Sequence, residues 1–251
     1  MRCRFLAVVL LSSQLPAHAD DLAEQAYAAG AFVEAKTYAE QEVVSADSLA
    51  FQARSLLAEC LYLGHVIDQN LTEAEDLSRL ALKIDPSHLE ARFQLAVAMS
   101  LQARSLGIWE IDEQGIPERT NELTDYLLER DPDNAWVHGF MAVWHVEGRR
   151  KAGAFLSGFA GISLKDAEMH YQLATQLDPE NLVLQWQYGR ALAALNAKKY
   201  ADEIEAIMRM VISREASDAL EERVKVRAAE LNKYVAAADY QTAEDFAAAL
   251  L

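Results

Sequence analysis

The clearest structural signal of this chain lies in residues 166–179, DAEMHYQLATQLDP, and residues 181–208, NLVLQWQYGRALAALNAKKYADEIEAIM. Apolar and small residues in the first segment recur at spacings of four, three and three, namely Ala167, Tyr171, Ala174 and Leu177. This spacing places them on one face of an α-helix. Pro179 lacks a backbone N–H and cannot continue that helix, so the sequence predicts a helix that ends just before it.

The second segment predicts two helices that pack closely against each other. Tyr188, Gly189 and Leu192 occupy the contact positions of its first helix, and Ala201 opens its second helix. Small residues such as Gly189 and Ala201 allow two helix backbones to approach closely. The segment therefore predicts an antiparallel helical hairpin.

The Asp-Pro pair that ends the first segment recurs along the chain. It occurs at Asp85-Pro86, Asp131-Pro132 and Asp178-Pro179, and the prolines are 46 and 47 residues apart. A fixed period of this size indicates a helical solenoid, in which each hairpin buries its apolar face against its neighbours. The sequence predicts an all-α fold of eleven or twelve helices.

Capping residues predict where several of these helices begin. Thr72 with Glu75, Ser87 with Glu90, and Ser163 with Asp166 have the spacing of a capping box. Asn134 and Asn181 follow their Asp-Pro turns and are favourable N-cap residues.

With these features the chain resembles the tetratricopeptide repeat (TPR) family, whose 34-residue unit is a pair of antiparallel helices. The resemblance is strongest over residues 164–212 and extends to 72–104 and 117–147. It implies a solenoid of helical hairpins with a concave groove. Residues 117–233 are also similar, more weakly, to the repeat domain of the regulator of microtubule dynamics family, which implies the same architecture.

The period exceeds 34 residues, so two units carry long inserts between their paired helices. One insert spans about 101–119 and contains Trp109, and the other spans about 149–163 and contains Phe155 and Phe159. Inserts at equivalent positions emerge on the same edge of a solenoid, so we expect these apolar residues to lie near one another. The alternative is a mobile or partner-docking loop, whose basic residues 149–151 would steer an acidic partner.

The resemblance also implies which residues line the concave groove, because the first helix of each TPR unit faces it. The candidate partner-binding residues are Phe93, Val97, Trp136, Val143, Trp186 and Arg190. Successive aromatic residues would form an apolar strip that receives a peptide or a helix, with Trp and Arg as natural anchors. Two alternatives stay open: the aromatic residues belong to the core, or residues 219–235 fill the groove.

The first residues predict export. Arg2 and Arg4 precede a short apolar run, and the small residues of Ala17-His18-Ala19 follow it, which is the pattern of a signal peptide cleaved after Ala19. The run is shorter than the ~20 residues that span a bilayer, so we expect no stable membrane insertion. The sequence predicts a periplasmic protein.

The negative charge of the chain argues against polyanionic partners such as nucleic acids. The chain has a formal net charge of −16, and removing residues 1–19 takes away two of its 23 basic and none of its 39 acidic residues, which leaves −18. Nucleic acids and anionic membranes are repelled by such a surface, so we expect no nucleic-acid partner.

Catalytic and metal-binding signatures are not found in the sequence. His138 and His145 are seven residues apart on one helix, about 10 Å along its axis, which is too far for one metal ion without further ligands. His170 stands alone, and no phosphate loop, HExxH or GxSxG motif occurs. We expect no enzyme activity, no metal and no cofactor.

The sequence thus predicts three parts: a cleaved signal peptide at 1–19, a TPR-like repeat domain at 20–212, and C-terminal capping helices at 213–251. The predicted function is an exported protein-interaction or scaffold module that binds a peptide or helix in its groove. The alternative is a small-molecule-binding accessory protein of an envelope transport system. An exposed apolar insert edge would favour a homodimer.

Overall fold

The computed structural model describes the backbone of residues 19–159 and 161–250, and the side chains of residues 21–153 and 161–250. These residues form thirteen α-helices and no strand. The helices are α1 Ala19–Ala28, α2 Phe32–Glu40, α3 Ala46–Leu63, α4 Asp68–Ile84, α5 Leu89–Gln102, α6 Ile108–Glu113, α7 Ile116–Arg130, α8 Ala135–Phe159, α9 Leu164–Leu177, α10 Leu182–Asn196, α11 Ala201–Ser213, α12 Ala219–Ala236 and α13 Tyr240–Ala249.

The helices pack as successive antiparallel hairpins: α1 with α2, α3 with α4, α5 with α7, α8 with α9, α10 with α11, and α12 with α13. The predicted all-α solenoid of helical hairpins is confirmed. Helices α12 and α13 occupy the segment that the sequence assigned to C-terminal capping helices. Small residues sit at the crossings, and a Cβ added at Gly189 would collide with the Cε of Met208 on α11.

Local capping signals set several helix boundaries. Ser163 and Asn181 are the N-caps of α9 and α10, and their side chains accept hydrogen bonds from the backbone N–H groups of Asp166 and Leu184. The predicted start at Thr72 is wrong, because α4 already begins at Asp68. The prediction of Ser87 as the N-cap of α5 is also wrong. The N-cap is His88, whose imidazole accepts a hydrogen bond from the backbone N–H of Ala91 in the first turn.

Both inserts lie between the paired helices of their units, and the structure builds them in different ways. The first forms the extra short helix α6 between α5 and α7. The second lengthens α8 to 25 residues, with a bend at Gly153, whose φ of 72° falls in the left-handed region. The ammonium of Lys151 donates to the carbonyls of Ala103 and Arg104 at 2.7 and 2.9 Å, which joins the beginnings of the two inserts.

Of the three residues predicted for the insert edge, only Trp109 has a described side chain. Trp109 is 76% exposed. Ile111 is buried instead, in a small core with Ala103 and Ile116. The side chains of Phe155 and Phe159 lie outside the described residues, so their predicted packing stays a prediction.

Within the described helices, none combines the length and apolarity that a membrane crossing requires.

Candidate functional site

The inner wall of the solenoid is formed mainly by the first helices of the hairpins, α3, α5, α8, α10 and α12. The short insert helix α6 and helix α7 also contribute to it. Neighbouring first helices run in the same direction. Phe93 near the start of α5 contacts Phe140 near the start of α8, with ring centroids 6.0 Å apart, while Arg104 just beyond α5 lies 3.6 Å from Glu147 further along α8. Their N-terminal ends therefore lie at one end of the inner wall and their C-terminal ends at the other.

Helix α12 closes this wall against α3. The guanidinium of Arg227 on α12 donates to the carbonyls of Leu61 and Tyr62, at 2.5 and 2.7 Å, at the end of α3. Gly30 at the α1–α2 turn also touches Ala219 at the start of α12, because a Cβ added there would lie 2.9 Å from that side chain. The solenoid is thus a nearly closed ring instead of an open spiral.

The ring encloses a central groove of about 1000 Å³. Its wall is mostly apolar and aromatic, with charged residues towards its ends. Five of the six predicted partner-binding residues line it: Phe93, Val97, Trp136, Val143 and Arg190. Trp136 is 42% exposed, so an aromatic face is open to an occupant. Contact of these residues with a partner stays a prediction.

Trp186 does not line the groove, and its prediction as a partner-binding residue is wrong. Its side chain is 0% exposed and belongs to the largest core cluster. The physical reason is that α10 has neighbours on every side, since α8, α11, α12 and α13 all pack against it. A ring buried in this way cannot contact another molecule.

Arg190 lines the groove, but its side chain is 1% exposed and fully engaged within the chain. It donates to Glu147 at 2.9 Å and to the carbonyls of Ala247 and Leu250 at 3.2 and 3.4 Å. The structure therefore assigns Arg190 to holding the end of α13 against α10. Its predicted role as an anchor for a partner is replaced by this internal one.

Glu147 is the centre of the charged cluster at this end of the groove. Its carboxylate accepts from Arg190 and Arg150 and lies 3.6 Å from Arg104. Burial alone would raise the pKa of Glu147, but the three guanidinium groups outweigh it and hold that pKa at about 2. Burial and the neighbouring Arg190 cation lower the pKa of Arg104 to about 10.

Sequence reasoning missed part of the aromatic lining. Phe140 joins Phe93 to Trp144, whose indole stacks on the Phe140 ring with an interplanar angle of 12° and centroids 6.4 Å apart. Both Phe140 and Trp144 line the groove. The i, i+4 spacing of these two residues in α8 was the signal that could have identified them.

The three central histidines meet between α8 and α9. The Nδ1 atoms of His138 and His170 are 2.8 Å apart, and the rings of His145 and His170 are stacked with centroids 6.0 Å apart. His138 Nε2 lies 2.9 Å from the carbonyl of Pro132, and His145 Nδ1 accepts from the backbone N–H of Ser163. Nowhere in the described part of the chain do three or more metal-ligating side chains come together in a way that could hold a metal ion.

The histidine cluster should make the folded protein less stable at acidic pH. Burial, followed by the neighbouring imidazoles of His138 and His145, lowers the pKa of His170 to about 4, although Asp166 opposes the shift. The unfolded chain therefore takes up a proton at His170 first, and stability is lost as the pH falls from about 6.5 towards about 4. We expect His170→Gln to lose less thermal stability than the wild type over this range, as measured by Tm at several pH values.

His65→Gln is the matched control for this prediction, because His65 is exposed in the α3–α4 turn. It should leave the pH profile unchanged. A profile of His170→Gln that coincides with that of the wild type would show that His170 does not govern the acid transition.

Comparisons with known proteins show what the chain is similar to. No protein-family model matches the sequence, and no curated protein matches it. Among solved structures, the chain is similar to a thermophilic TPR protein of Thermus thermophilus, with a TM-score of 0.59 and 18% sequence identity, over 84% of this chain and 96% of that one. This likeness, together with the hairpins described above, shows that the chain has a TPR-like fold.

Proposed function

We propose that the chain is an exported, non-enzymatic protein-interaction module that binds a short peptide segment or a single helix in its central groove. The carrying observation is the groove itself: parallel first helices enclose about 1000 Å³ and present the open aromatic face of Trp136. A helix with its side chains is about 10–12 Å across, so this volume accommodates roughly two helical turns. Grooves of this type recognise partners through a few buried apolar anchors.

A groove-filling variant tests this function. Val143 lines the groove at mid-wall, so Val143→Trp should occupy the space that a peptide needs. Peptides selected from a random display library on the wild-type protein should lose binding to Val143→Trp. Leu80→Trp is the matched control, because Leu80 is an exposed residue of α4 away from the groove, and it should retain them. Equal binding to all three proteins would place the peptide site elsewhere and reject the proposal.

A small-molecule ligand is the second candidate, and the closure of the ring favours it. Because α12 packs against α3, the groove is a chamber whose volume is at the upper end of the range for small-ligand pockets, about 300–1000 Å³. In this case the protein would be an accessory component of an envelope transport system. Native mass spectrometry should then detect a bound mass on the wild-type protein that Val143→Trp has lost.

Export rests on the signal-peptide pattern, most of which lies outside the described residues. We expect the full chain, expressed in a bacterial host, to appear in the periplasmic fraction with Asp20 as its first residue. The measurement is cell fractionation followed by the intact mass of the protein. Retention of residues 1–19 in the cytoplasmic fraction would contradict the prediction.

Self-association is proposed from Trp109, which is 76% exposed on α6. Sedimentation of the wild type and of Trp109→Ala tests it, since a dimer that depends on this surface should dissociate in the variant.

A further inference from the structure

The charged residues that line the groove differ in whether the chain already uses them. All five basic side chains in the lining are engaged. Arg104, Arg150 and Arg190 contact Glu147, Lys151 donates to two backbone carbonyls, and Arg54 pairs with Glu24 and Glu90. These side chains are therefore already paired within the chain and offer little uncompensated positive charge to an occupant of the groove. The predicted steering of an acidic partner by residues 149–151 stays a prediction.

The acidic residues of the lining are in excess and are only partly used. The lining contains seven carboxylates, and Glu147, Asp218 and Glu221 are tied to arginines or to backbone N–H groups. The carboxylates of Asp112 and Glu118, on α6 and α7, have no hydrogen-bond or ion-pair partner among the described residues. The charge left for an occupant is therefore negative.

The uncompensated carboxylates share a wall with open aromatic rings. Asp112 lies three residues from Trp109, and Trp109, Trp136 and Phe93 line the same groove. A cationic side chain over an aromatic face is attracted by the negative charge density of the ring face. Within the chain, Arg92 already lies over Tyr126 at 3.6 Å and Arg54 over Phe51 at 4.6 Å, so this combination of groups is used elsewhere in the molecule.

We infer that the occupant of the groove is a basic amphipathic peptide segment, whose apolar side chains contact the aromatic wall and whose lysines or arginines face Asp112 and Glu118. This inference rests on the proposed peptide-binding function and specifies its partner. The net charge of −16 adds long-range attraction for a basic segment, which increases the association rate and depends on ionic strength.

Three synthetic peptides of about ten residues test the inference. They have identical apolar positions at helical spacing and blocked termini, and their polar positions are all lysine, all glutamine or all glutamate. Affinity is measured by tryptophan fluorescence and by calorimetry. At low salt we expect the lysine peptide to bind at least about tenfold more tightly than the glutamate peptide. This difference should shrink when salt approaches about 1 M, where the Debye length is about 3 Å.

Paired variants assign the preference to the groove. Asp112→Asn combined with Glu118→Gln should reduce the preference for lysine over glutamate. Glu34→Gln combined with Asp76→Asn makes the same change of charge at exposed residues outside the groove, on α2 and α4, and should preserve the preference.

Each outcome decides between the inference and the function on which it rests. Equal or tighter binding of the glutamate peptide would overturn the inference and leave peptide binding intact. A preference that both double variants reduce equally would assign it to the overall charge and overturn the role of the groove. If none of the three peptides binds, the peptide-binding function itself fails. A bilayer or nucleic acid is not the expected partner, because neither presents a cationic segment.

Discussion

Trp186→Ala is expected to lower the free energy of unfolding by about 3–5 kcal/mol, the usual range for truncating a buried large aromatic side chain. Trp186 is 0% exposed, and the helices around it are fixed by their own contacts, so the cavity cannot collapse fully. Urea denaturation monitored by circular dichroism measures the change. A reduced midpoint with an unchanged slope would show that stability, and not the compactness of the unfolded state, has changed.

Trp136→Ala is the matched control for this variant. The substitution removes the same atoms, but from a side chain that is 42% exposed. We therefore expect the free energy of unfolding to fall by no more than about 1 kcal/mol. The two variants also separate stability from binding, because Trp136 lines the groove and Trp186 does not. A loss for Trp186→Ala as small as that for Trp136→Ala would contradict the burial of Trp186.

Glu147→Gln is the second variant for which we expect a large effect. The substitution removes the only carboxylate in the described part of the chain that contacts Arg190, whose side chain is 1% exposed, and leaves that guanidinium buried without a counter-charge. Removing one partner of a buried ion pair destabilises by about 3–5 kcal/mol. We also expect the end of α13 to detach from α10 more readily, since Arg190 joins them, and hydrogen exchange in residues 240–249 measures this detachment.

Glu205→Gln is the control for this second variant, because Glu205 pairs with the exposed Arg209 on α11. Exposed pairs contribute about 0–1 kcal/mol, so the loss should be small. The pH dependence gives a second readout. The folded pKa of Glu147 is about 2, below its ordinary value of 4.5, so its stabilisation is present above pH 4.5 and is lost as the pH falls towards 2. Glu147→Gln should lack this acid-dependent part of the stability loss.

The helices and many of their boundaries could be predicted from sequence because the interactions that set them are local. Pro179 and the N-cap side chains of Ser163 and Asn181 act within one helical turn, and the spacing of apolar residues marks the buried face of each helix. Five residues that line the groove were predicted from the same repeat register. The predicted helix start at Thr72 is wrong because a threonine inside a helix can also form a local hydrogen bond. The Thr72 hydroxyl donates to the carbonyl of Asp68, four residues earlier.

Which residues are available in the candidate site depends on contacts between helices, and the repeat register does not predict these contacts. Phe93 and Trp186 both occupy first helices, but Phe93 lines the groove whereas Trp186 is buried among the helices that pack around α10. Arg190 looked available in the sequence, and the structure shows it bound to Glu147 and to the end of α13. Which charges remain for a partner is decided only after these internal pairs have formed.

Capping and periodicity act over a few residues, and they were enough to predict the class of fold, the hairpin repeat and the position of the inserts. The tertiary structure decided that the solenoid closes into a ring, because Arg227 on α12 meets Leu61 on α3 across 166 positions of the chain. It likewise decided that His138 and His170 meet and that Trp186 is buried. These features follow from how successive hairpins stack, since small rotations accumulate along a solenoid and no short stretch of sequence encodes their sum.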